Sequence, residues 1–177
     1  MKRIALVLLI LLFVAGSAFA RPSSVAIGAQ LGFAASGAVV DIGLGSLYLN
    51  AGIGYPLGLS YIGFAGGAED VFLEVATLTA DVSQAFALSE NFDFKVGVGT
   101  TAFTELKSAI FGLAGPVLKG EYWVPNKNFG LTLTLNIPVM AYGYVEDDEI
   151  FTGGVVFNAF LPLAGLFTST IGVLYSF

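Results

Sequence analysis

From Phe129 the chain alternates. Odd positions read Phe129, Leu131, Leu133, Leu135, Ile137, Val139 and Ala141, while even positions read Gly130, Thr132, Thr134, Asn136, Pro138, Met140 and Tyr142. A period of two sends successive side chains to opposite faces of a strand, whereas a helix would scatter them around its axis. The pattern recurs. Val25, Ile27, Ala29, Leu31 and Phe33 alternate with Ala26, Gly28, Gln30 and Gly32; Leu47, Leu49, Ala51, Ile53 and Tyr55 alternate with Tyr48, Asn50, Gly52 and Gly54. Phe92, Phe94, Val96 and Val98 oppose Asp93, Lys95, Gly97 and Gly99. In the last segment Phe167, Ser169, Ile171, Val173, Tyr175 and Phe177 oppose Thr168, Thr170, Gly172, Leu174 and Ser176.

Composition decides what such strands can build. Hydrophobic residues make up 56% of the chain and charged ones 11%, against about 25% charged in soluble domains, and the mean hydropathy is +0.84. A water-soluble surface is hard to assemble from that supply. A bilayer admits only helices or closed barrels, because each backbone N–H and C=O must be satisfied internally. Strands that are apolar on one face and small or polar on the other therefore predict an all-β fold, a transmembrane antiparallel up-and-down β-barrel.

Two rivals remain open. The stretch 150–177 has no charge and is long enough to span as a helix, yet it holds Gly153, Gly154, Pro162 and the hydroxyls of Thr168, Ser169 and Thr170, with no flanking Lys or Arg to orient it. A polytopic helical protein would give a helical circular-dichroism spectrum. A secreted soluble barrel that binds an apolar ligand would partition into buffer without detergent.

Punctuation by Gly, Pro, Asn, Asp and Ser falls at 35–37, 45–46, 55–56, 66–70, 89–91, 105–108, 125–128, 146–149 and 161–165, so nine breaks define ten segments. Membrane barrels have even strand numbers. Segmentation slightly favours ten, and eight follows if the breaks at Ala35 and Tyr55 are bulges inside longer strands. The segment 71–88 exceeds the roughly 9–11 residues needed to cross, and its faces switch near Val75, which suggests a bulge or a projecting strand. Every connection reads as short, which argues against long loops for receptor binding or proteolysis.

At the other end of the chain, Lys2 and Arg3 precede an unbroken apolar run, 4–14, and Ala18-Phe19-Ala20 supplies a small-x-small cleavage pattern. Residues 1–20 are thus expected to be a signal peptide removed after Ala20, leaving 21–177 as one barrel domain. Five cations then face thirteen carboxylates, with no basic stripe for a nucleic acid. The absence of cysteine excludes disulfides, thiol chemistry and an acylated N-terminal cysteine. The absence of histidine removes the commonest general base, and no Gly-x-Ser-x-Gly turn occurs, so no enzyme is expected.

Thr170-Ile171-Gly172-Val173-Leu174-Tyr175-Ser176-Phe177 resembles the terminal β-signal of bacterial outer-membrane barrels: a polar residue, a glycine two later, and aromatic residues at the third-last and last positions. The resemblance implies assembly-signal roles for Thr170, Gly172, Tyr175 and Phe177, the barrel-assembly machinery and outer-membrane lipid as partners, and both termini on the periplasmic side.

If the apolar faces point outward, the lumen receives Gln30, Asp41, Asn50, Thr77, Thr79, Asp81, Asp93, Lys95, Thr101, Lys119, Glu121, Thr132, Thr134, Asn136, Asn158, Thr168 and Thr170. At eight strands side chains just fill a barrel, and buried charges must pair. Lys95 and Lys119 are expected to bridge Asp93, Glu121, Asp81 or Asp41 in a closed polar core, consistent with a structural or envelope role. The alternative is a narrow cation-preferring pore or small-ligand barrel of ten strands, widened by glycines on the inner face and biased by its carboxylate excess. No cofactor or metal is expected. Glu146-Asp147-Asp148-Glu149 lacks the spacing and glycine of a calcium loop and reads as a solvated turn. Counting ten strands back from Phe177 puts that turn on the periplasmic side and 125–128 outside. Tyr48, Tyr55, Tyr61, Tyr122, Trp123, Tyr142 and Tyr144 fall near strand ends as candidate interfacial girdles.

Overall fold

A computed structural model of the chain describes residues 25–67, 75–105, 109–145, 148–153 and 161–177. The expected signal peptide and Asn158 lie outside the described residues. Ten strands form in chain order: β1 (Val25–Gly32), β2 (Ser36–Leu44), β3 (Leu47–Tyr55), β4 (Ala76–Ala87), β5 (Phe92–Thr104), β6 (Ala109–Trp123), β7 (Phe129–Asn136), β8 (Met140–Val145), β9 (Asp148–Gly153) and β10 (Thr170–Ser176). Two short helices interrupt them, α1 (Leu57–Ala65) after β3 and α2 (Leu161–Thr168) before β10.

The sheet closes. Each of β1 to β7 pairs antiparallel with its neighbour, β10 pairs with β7, and β10 meets β1 from Ala26↔Ser176 to Gly32↔Thr170. The result is an antiparallel barrel of eight strands with one extra strand, β9, hydrogen-bonded to β8.

Ten segments thus do not make ten staves, for three physical reasons. The segment after Tyr55 and Pro56 is helix α1, with no polar stripe to reveal a helical period. β7 and β8 are one bent stave running along β6: Val117 pairs with Asn136, but Ala114 pairs with Met140, so one extra residue sits in the stretch 137–139 beside Pro138. Proline cannot donate to the ladder, and a bulge accommodates it. Parity flips there, so Met140 is exposed, and Tyr142 shares its outer face. The odd-position pattern therefore ends at Ile137. Finally, β9 and β10 lie along the two parts of that bent stave, separated by the stretch 154–169. The break at Ala35 is a true hairpin joining β1 to β2, not a bulge.

Connections are also unequal. Gly45 and Ser46 make a two-residue hairpin with Gly45 at φ +73°, the glycine-first turn whose twist suits paired strands. Residues 56–75 and 154–169, by contrast, carry helices, so not every connection is short. Both chain ends of the barrel, the 45–46 hairpin, the 88–91 turn and the 124–128 turn share one end: Ser176 N–H donates to Asn128 C=O, and Phe177 N–H to Val25 C=O. The 125–128 turn is therefore on the side of the termini, whereas Val145 and Asp148, which pair where β8 meets β9, lie at the opposite end; Glu146 and Asp147 of the acidic run lie outside the described residues. Within 71–88, strand β4 keeps a continuous register with β3 and β5, and 71–74 lie outside the described residues.

A Cβ on Gly28 would overlap the Val173 backbone carbonyl across the β1–β10 seam. Gly28→Val is expected to destabilise the barrel by about 3 kcal/mol, the upper part of the usual over-packing range, measured by urea titration of the refolded protein. An unchanged midpoint would show that the seam tolerates the bulk.

Candidate functional site

Alternation turns one side chain in two inward, and the inner face is polar. Asp41 on β2, Asp93 and Lys95 on β5, and Lys119 and Glu121 on β6 are all buried; Asp81 on β4 has a side chain only 8% exposed. The register makes an awkward pattern. Lys95 lies directly opposite Lys119, and Asp93 directly opposite Glu121. Like charges in facing positions repel, so each needs a partner placed diagonally on the next stave or further round the barrel.

Diagonal and more distant positions supply the partners. The Lys95 ammonium sits 2.6 Å from Asp41 Oδ2 and 2.7 Å from Glu121 Oε1, and lies 3.5 Å from the centre of the Tyr48 ring on β3. Asn50 Nδ2 donates to the other Asp41 oxygen at 3.3 Å. Lys119 reaches past β5 to Asp81 Oδ2 at 2.6 Å. Lys95 is thus held by two carboxylates and the face of one aromatic ring, a geometry that offsets the desolvation of its charge. The structure assigns Asp93 to the same buried layer, opposite Glu121.

Neutral groups continue the lining. Gln30 donates to Thr79 Oγ1 at 3.2 Å across the lumen. Thr77 Oγ1 donates to the Ala34 carbonyl at 2.8 Å, tying β4 to the β1–β2 loop. Thr101 and Thr170 are buried, and Thr132, Thr134 and Asn136 line the same interior space. Asn136 Nδ2 donates to the Thr168 carbonyl, and Ser169 Oγ donates to Gly165 C=O at 2.6 Å, which anchors the end of α2 to the top of β7. Thr168 is accordingly part of the helix end and not of an inward strand face.

Two aromatic residues expected at the interfaces point inward. Tyr48 is buried under Lys95, and Trp123 covers Gly130, where a Cβ would come within 3.0 Å of the indole. Tyr48 was legible as inward from its parity with Asn50; Trp123 shares parity with Lys119 and Glu121. Tyr122 is exposed, Tyr61 lies on α1, and Tyr55 is half-buried. Tyr142 lies over Gly112 on the outer wall and shares a 2.7 Å hydrogen bond with Thr100, whose hydroxyl reaches the Leu113 carbonyl. The side chain of Tyr144 is outside the description. Thr170 and Gly172 face inward on β10, while Tyr175 and Phe177 point out with rings in edge contact at 5.5 Å.

The inner glycines make room for side chains from neighbouring staves. Gly52 gives space to Thr79 and Gln30, and Gly99 to Asp81 and Val117. Among the described residues, one interior cavity lined by Gln30, Asn50, Asp81, Thr101 and Lys119 has a volume of about 20 Å³, little more than one water needs. Among the described residues, no three acidic side chains cluster in a way that could hold a metal. No protein-family model matches this chain, and comparison with curated proteins and with solved structures finds no similar one.

Lys95→Met would strand both Asp41 and Glu121, whereas Lys119→Met strands Asp81 alone. The first is expected to cost about 3–5 kcal/mol and the second less, in denaturant titrations. Adding Asp81→Leu to Lys119→Met is expected to restore much of the loss; equal effects of the two lysine variants would refute the asymmetry.

Proposed function

We propose that the protein is an integral β-barrel of the bacterial outer membrane with a structural, non-catalytic role in the envelope. The observation that carries this reading is the inverted polarity of the wall. Ile27, Leu31, Ile53, Val98, Leu131, Leu133, Ile171 and Val173 are exposed around the outside while the ion pairs are buried within. A contiguous apolar exterior far exceeds the few hundred Å² that soluble monomers expose; lipid satisfies it. The polar interior also speaks against a soluble barrel built to hold an apolar ligand. No described helix is long and apolar enough to cross a membrane.

In this reading the short-turn end with both termini faces the periplasm, and the helix end faces outward. β10 presents the β-signal residues Thr170, Gly172, Tyr175 and Phe177 to the assembly machinery before closing on β1. The tight centre favours a closed core over a conducting path.

The test is to refold the chain from residue 21 in lipid and record across a planar bilayer. Silence from a preparation whose band shifts on heating is the expected result. Discrete cation-preferring steps would replace the closed core with a narrow pore, for which four inner carboxylates against two lysines supply the bias. Failure of the folded protein to float with vesicles would remove the membrane reading.

A further inference from the structure

The barrel is lopsided. β1 has eight residues and β10 seven, whereas β5 has thirteen and β6 fifteen. At a tilt near 40° each residue adds about 2.5 Å of height, so the low wall stands about 18–20 Å and the tall wall about 33–38 Å. An apolar band about 25 Å tall is needed to match an outer membrane. The low wall falls short of it, on the proposal that the barrel spans one.

Both helices sit on that low wall. Gly58 of α1 lies against the Phe33 ring, and its N–H donates to the Phe33 carbonyl at 2.9 Å. Phe167 of α2 meets Phe33 edge to face at 4.8 Å and accepts from Ala34 N–H at 3.0 Å. The β1–β2 loop is therefore clamped between them, directly above β1 and β10. A helix layer is about 10 Å thick, which makes up the missing height.

Their chemistry fits the same role. α1 reads LGLSYIGFA, apolar all round except Ser60, and a helix of that kind belongs in a protein core or in lipid. Tyr61 is 74%, Phe64 68% and Leu166 69% exposed, and Ile62 is exposed beside them. Residues 42–68 and 150–177 contain no charge at all. Charges resume beyond these stretches: Glu69, Asp70 and Glu74 follow α1 in the sequence, and Glu105 directly follows β5.

We infer that α1 and α2 complete the lipid-facing belt over the low wall, their exposed apolar side chains lying in the acyl region of the outer leaflet, continuous with Leu31 and Ile171 below. The occupant of this surface is lipid, not a second protein.

The chain has no cysteine, so single nitroxide labels can be placed cleanly. Cysteines at Ile62, Phe64 and Leu166 would be labelled in the chain refolded into phosphatidylcholine vesicles, with Leu133 on the outer wall and Lys127 in the terminal-end turn as references. Collisions with oxygen several-fold more frequent than with a water-soluble nickel complex, as at Leu133, are the expected result at all three helix positions. Nickel accessibility like that at Lys127, with Leu133 still in lipid, would overturn the inference and leave the membrane barrel standing. Poor access to both reagents would mean that protein covers the helices, and would overturn it too. Water exposure at Leu133 itself would instead defeat the membrane reading. If one cysteine variant does not fold, the other two positions carry the test.

Discussion

Lys95 is held from across the barrel. Its own strand and the next place Lys119 opposite it and Asp93 opposite Glu121, an arrangement that repels within any flat sheet. Only when the sheet curls and closes does Asp41, three staves away on β2, come within 2.6 Å of the ammonium. The Lys95–Asp41 contact therefore reports on closure, while Glu121 on the adjacent stave supplies the second carboxylate and Asp81 pairs with Lys119 two staves away. A buried charge left unpaired is costly, so an open or slipped sheet is penalised, and a one-residue slip would carry all six charged groups to the wrong face.

Space inside is decided by exchange between neighbours. Glycine on one stave lets a large side chain from another lie across the lumen, as Gly130 does for Trp123 and Gly52 for Gln30. The small residues of the inner face are thus the counterpart of Lys95, Lys119, Tyr48 and Trp123. Eight staves set a radius that side chains can fill.

Height is distributed as unevenly as volume. The β5–β6 wall is tall and ends in charge, while the β1–β10 wall is low and ends in two charge-free helices clamped on Phe33. Strand length and helix position vary together around the circumference.

Alternation alone determined that the chain forms strands, and which residues of each strand face in: the inward placement of Asp41, Asp81, Asp93, Lys95, Lys119 and Glu121 follows from a period of two, a property of the backbone. It could not reveal α1, because a helix apolar on every side has no periodic stripe, nor the parity change at 137–139, because Ile137, Pro138 and Val139 all suit either face in a one-dimensional pattern. The number of staves was equally hidden, since breaks in a chain do not say which segments stack end to end along one neighbour. Tertiary structure decided those matters, together with the choice of partner for each lysine. The β1–β10 pairing and the cross-lumen distances are relations between distant parts of the chain, and they are set only when the last strand meets the first.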